Sequence, residues 1–239
     1  ALRAADSAGD NSDNATGNYN IAVGNYALDK ATSANQNVAI GYDALTNLVT
    51  EAYNVAVGMQ AGVDVVGESN VLLGAYAGYD AADIDHCIAI GRAALKGDGS
   101  TAPSGDYNIA IGSYALDATT TGASNVAIGY GSGSAIIGGN QNVLIGTNAG
   151  LVLTDNTNNI VIGYAAMDAA TGGENDNVAI GLNALGAENS NADYCVAIGS
   201  YALASQNADV KNTAIGGLAG DAITGGDSNT LLGYSAGSG

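Results

Sequence analysis

A glycine returns along this chain at a nearly constant interval: Gly24, Gly41, Gly58, Gly74, Gly91, Gly112, Gly129, Gly146, Gly163, Gly181, Gly199, Gly216 and Gly233. Most steps are 17 residues; one is 16, two are 18 and one is 21. Each glycine closes a tetrad of the kind Asn37-Val38-Ala39-Ile40, and three residues after it comes Ala in every copy but one. Then follows Leu, Met or Gly. A period this short admits few folds. It is too brief for a helical-hairpin repeat and suits one turn of a solenoid, in which each turn buries its apolar side only by stacking on the next.

The tetrads place β-branched residues two apart, the grammar of a strand. Glycine in every copy opposes helix. The expected fold is therefore all-β: a single parallel β-solenoid of about 13 coils of 17 residues, each coil with two short strands and two corners. The repeats span residues 19–239. Residues 1–18 lack the motif and read as a polar cap or docking arm. The 21-residue step holds an insertion near 96–107, with the only proline, Pro103, and reads as a loop swelling from one coil. With no Phe or Trp among its 239 residues, the chain must build thin layers from Val, Ile, Leu and Ala.

Two rows of equivalent residues carry the expectations about sites. The first opens the tetrads: Asn20, Asn37, Asn54, Asn70, Asn108, Asn125, Asn142, Asn159, Asn177, Asn212 and Asn229. Stacked amides of this kind bond the copies above and below, which allows polar groups at a buried corner. Cys87 and Cys195 occupy the same row six coils apart, roughly 29 Å at strand spacing, beyond the reach of a disulfide. His86 beside Cys87 does not make a metal site, because ligands must converge.

The second row is the middle of each tetrad: Ala22, Ala39, Ala56, Leu72, Ala89, Ala110, Ala127, Leu144, Val161, Ala179, Ala197, Ala214 and Leu231. If Val38 and Ile40 point into the coil, Ala39 points out. All thirteen residues are apolar, where a solvated face would carry Thr, Lys, Glu or Ser. The row then reads as an inter-chain contact, and the chain as a homo-oligomer. The alternative is an exposed ice- or mineral-binding face, although ice-binding solenoids usually show Thr rows.

The formal net charge of −18, with 23 acidic residues against Arg3, Lys30, Arg92, Lys96 and Lys211, argues against nucleic acid and anionic lipid. No run approaches the length of a membrane span. The start at Ala1 fits a processed product or an excised segment. No nucleotide-binding glycine motif and no converging carboxylates are seen, so the chain reads as a non-enzyme with no catalytic, cofactor or metal site. Calcium in loops such as Asp155–Asn159 or Glu174–Asn177 is the one cofactor kept in view.

The motif of Asn37, Val38, Ala39, Ile40 and Gly41 resembles the head repeats of YadA-like trimeric autotransporter adhesins, and the 17-residue version found in phage tail-fibre proteins. The likeness runs from about Tyr19 to the end of the sequence. Cys87 and Cys195 depart at the Asn position, and Thr213 and Thr230 stand where Val is usual. The resemblance implies a left-handed β-roll, three chains around one axis, and the Val/Ile pair inside each roll. It implies a fibre or adhesin, extracellular, at a cell surface or on a virion, with loops offered to a glycan or cell-surface receptor. The long heptad coiled coil of adhesin stalks is missing. A secreted subunit that polymerises head to tail into a filament is the alternative.

Overall fold

A computed structural model describes the backbone of residues 2–5, and residues 17–97, 99, 104–170, 173–187, 193–206 and 211–238. Pro103 and most of the N-terminal segment lie outside the described residues. Among those described, every regular element is a strand: β1 Leu2–Ala5, β2 Asn20–Val23, β3 Val38–Ile40, β4 Val55–Val57, β5 Val71–Leu73, β6 Ile88–Ile90, β7 Ile109–Ile111, β8 Val126–Ile128, β9 Val143–Ile145, β10 Ile160–Ile162, β11 Val178–Ile180, β12 Val196–Ile198, β13 Thr213–Ile215 and β14 Thr230–Leu232. The chain is an all-β solenoid with one parallel strand per repeat.

It divides into two compact units, residues 1–123 and 124–239. In the first, β2 to β7 pair in parallel and in sequence order, motif position on motif position, as Val38 on Val55 and Ala39 on Ala56. β1 lies antiparallel to β2, with Ala4 opposite Ile21. In the second unit β8 to β14 stack in the same way, as Val143 on Ile160 and Leu144 on Val161.

Among the described residues one strand forms per coil, where two were expected. There the second wall is made of turns, with one isolated bridge, Asn35 to Ala52. Its backbone enters the left-handed region at two positions after the motif glycine, such as Asp43 (φ 54) and Leu45 (φ 49). Left-handed residues at alternate positions break the pleat that a strand needs. The N–H groups still bond between coils: Asp43 donates to Asn25 O and Leu45 to Ala61 O, each at 3.0 Å. The motif glycine is required on two counts. Gly41 has φ 144, and a Cβ there would stand 2.1 Å from the carbonyl oxygen of Gly58 one coil on.

The largest correction concerns the direction of the strands. Ala39 is 0% exposed within a single chain, whereas Ile40 is 38% exposed. The same holds for Ala22, Ala56, Leu72, Ala89, Ala110, Ala127, Leu144, Val161, Ala179, Ala197 and Ala214, all buried; Leu231, in the last strand, is only partly covered. The middle row is core, not a contact between chains, and the Val/Ile pairs face outward. The reason is volume. The interior already holds Leu45 and Leu48 from the second wall. Two further β-branched residues per layer would overpack a coil this thin.

The exceptions prove the packing partners. Leu replaces Ala in the middle row at Leu72, Leu144 and Leu231. Each time the second-wall Leu becomes Gly in the same coil and in the one before: Gly62 and Gly78, Gly133 and Gly150, Gly220 and Gly237. A Cβ built on Gly62 would come within 2.6 Å of Leu72 Cδ1, and one on Gly78 within 2.9 Å of Leu72 Cδ2. The two rows share one volume. Leu72→Ala should therefore cost about 2–5 kcal/mol in chemical denaturation. Adding Gly78→Leu should restore part of that loss, since Leu45 and Leu95 already adopt the same left-handed backbone.

Candidate functional site

The asparagine row faces the interior. Side chains two apart on a strand share a face, so Asn37 and Ala39 point the same way. Asn37, Asn54, Asn70, Asn108, Asn125, Asn142, Asn159, Asn177 and Asn212 are fully buried and Asn20 nearly so, while Asn229 lies in the more open last coil. The oxygens accept from the backbone N–H of the next coil, as Asn54 N to Asn37 Oδ1 at 2.8 Å, Asn142 N to Asn125 Oδ1 at 3.0 Å and Asn159 N to Asn142 Oδ1 at 3.0 Å. The amide nitrogen crosses to the far corner of its own coil, as Asn37 Nδ2 to Glu51 O at 2.9 Å and Asn142 Nδ2 to Asn156 O at 2.7 Å. One side chain thus ties a coil to its neighbour and closes the coil on itself.

Cys87 and Cys195 continue the row as buried free thiols. Their backbone N–H groups donate to Asn70 Oδ1 at 2.9 Å and Asn177 Oδ1 at 2.8 Å. Burial pushes the Cys87 thiol up to about 11, against a weaker opposing pull from the Asn108 N–H. It stays protonated near neutral pH. His86 does not join it; its ring stacks on Tyr107 at 5.1 Å.

The outer face of the sheet is the surface that the sequence reading placed inside. In the first unit it carries Ile21, Val38, Val55, Val71, Ile88 and Ile109 in one row and Val23, Ile40, Val57, Leu73, Ile90 and Ile111 in the other. In the second unit the rows are Val126, Val143, Ile160, Val178, Val196, Thr213 and Thr230, and Ile128, Ile145, Ile162, Ile180, Ile198, Ile215 and Leu232. These residues are half-exposed to exposed; Ile128 keeps 36% and Ile215 39% of its surface open. None is charged. Exposed tyrosines flank the rows: Tyr19, Tyr53, Tyr107 and Tyr194 before the Asn row, and Tyr42, Tyr130 and Tyr164 just after the glycine. Tyr26 meets Tyr42 edge-on at 5.9 Å, and Arg92 lies over the Tyr114 ring at 5.1 Å. Asp43 beside Tyr42 pushes its phenol up.

The loops considered for calcium are occupied with internal hydrogen bonds. Asp155 Oδ1 accepts from Gly138 N at 3.1 Å, Glu174 Oε2 from Asn156 Nδ2 at 2.6 Å, and Asp176 Oδ1 from Asn158 Nδ2 at 3.0 Å. Among the described residues no group of three or more His, Cys, Asp or Glu could hold a metal ion, and no helix is long and apolar enough to cross a membrane. Compared with family models, with curated proteins and with solved structures, the chain matches none.

Two signals in the sequence could have found the outer face. The exchange of Leu and Gly between the middle row and the second wall shows which residues share the interior. The asparagines lie two positions from the alanines, so burying one row buries the other.

Asn142→Ala should cost about 2–3 kcal/mol, because it takes the Oδ1 acceptor from the buried Asn159 N–H and removes the Nδ2 bonds to Asn125 Oδ1 and Asn156 O. Asn47→Ala, in the exposed chain of bonds from Lys30 Nζ to Asn47 Oδ1 (2.6 Å), should change stability by about 0.5 kcal/mol or less. Urea melts of the two variants make the comparison.

Proposed function

We propose that this chain is a structural element of a fibre or adhesin: an oligomeric rod that holds variable acidic loops away from its axis. The observation that carries the reading is the uncharged aliphatic outer face of each unit. A soluble chain rarely leaves so continuous an apolar surface uncovered, and here it is built into every repeat. The axial ladders of backbone and asparagine bonds give the element stiffness. The turns and loops carry the sequence variation, and with it most of the acidic charge.

By the resemblance of its repeat, the assembly is a trimer around a common axis, extracellular or on a virion, with a glycan or cell-surface receptor as the partner of the loops. It performs no chemistry in this reading. Its role is mechanical and adhesive.

Intact mass with electron microscopy tests the proposal. The expected result is rods of constant width whose mass is a small multiple of 23.3 kDa. The net charge of −18 opposes association at low ionic strength, so the assembled fraction should rise with salt as repulsion between copies is screened. A single chain at every concentration and salt would remove the reading. Threads of unlimited length would favour the head-to-tail polymer instead.

A further inference from the structure

The alanine row cannot join chains, because its side chains are already covered within one chain. We propose that the outer Val/Ile face is where copies of this chain pack on one another, like unit on like unit. This rests on the oligomeric-rod reading above and names the surface that the rod uses.

Composition is the first argument. All twelve outward positions of the first unit are Val, Ile or Leu; in the second unit twelve of fourteen are, and the other two are Thr213 and Thr230. An antiparallel or solvated sheet face would alternate to polar residues at these sites. The second argument is charge. None of the 23 acidic residues stands in these rows, so two chains of net charge −18 meet here without acid against acid. A basic partner, favoured by the rest of the molecule, finds nothing to grip here.

Periodicity narrows the occupant further. Branched side chains recur at every rung, about 4.8 Å apart, in two parallel rows. Interdigitation over many rungs demands a partner with the same spacing, which another copy of this face provides. Roughly five residues of strand width by one rung gives about 80 Å², hence about 500 Å² for each unit. A unit that meets the like unit of a second copy buries about 1,000 Å² over the two surfaces together, the lower bound of a specific interface. Tyrosines along both margins, apolar in the ring and polar at the tip, suit the rim of such a contact.

The experiment introduces charge where the side chains already point out. Val143→Lys with Ile145→Lys leaves the buried Leu144 and the ladder untouched. The expected result is loss of the assembly to a single 23.3 kDa chain that keeps its strand circular dichroism and its cooperative melt. A doubly substituted chain that assembles as before overturns the proposal while leaving the rod reading in place. Should the lysines prevent folding, Ile128→Cys gives a second measurement, since the native thiols are buried. Protection of the new thiol from maleimide at concentrations where the chain assembles, and its loss on dilution to single chains, supports the contact. Equal labelling in both states overturns it. A wild-type chain that stays single removes the rod reading as well, and thermal hysteresis from that single chain would assign the face to ice.

Discussion

At the level of the middle row, each layer of this solenoid has room for one leucine, which comes either from the strand or from the wall opposite. That limit orders the rest. Where Leu45 or Leu95 reaches in from the second wall, the strand contributes Ala39, Ala56 or Ala89; where the strand contributes Leu72, the second wall retreats to Gly62 and Gly78. The interior is filled to one size by exchange between two rows, as close packing requires. The Val/Ile pairs, too bulky for that space, are left outside.

A core of methyl groups this thin buries little apolar surface per residue, so polar bonds must hold the coils in register. The parallel ladder does so along the strand. The second wall does it from left-handed residues that still donate between coils, as Leu45 does to Ala61. At the corner, buried asparagines bind in two directions at once, a coil to its successor and a strand to its own return. An apolar residue there would leave backbone donors without partners, a larger penalty than the burial of an amide whose bonds are made. Cysteine is tolerated in the row because the sulfur is small, accepts weakly from Asn108 N at 3.4 Å, and stays uncharged.

The same economy accounts for the surface. A fold that turns its Val/Ile pairs outward in two uncharged rows, with tyrosines at the margins and acids in the loops, has separated an apolar face from an acidic one. In the proposed rod the first meets sister chains and the second meets the medium.

The sequence by itself determined the repeat, the strand at each tetrad and the parallel register. All of these follow from local periodicity and from the demand that each turn match the next. Hydrophobicity alone did not decide which side of the strand is inside, although the Leu–Gly exchange and the two-residue spacing from asparagine to alanine carried the answer. Period two divides a strand into two faces without naming them, and here both are apolar, so Ala39 and Ile40 were equally eligible for the core by hydrophobicity alone. Nor did it show that the second wall is turn rather than strand, because left-handed backbone at Asp43 and Leu45 has no residue signature as firm as glycine. Only tertiary structure settled the side, through volume: the opposite wall fills the space first, and the strand must offer what remains.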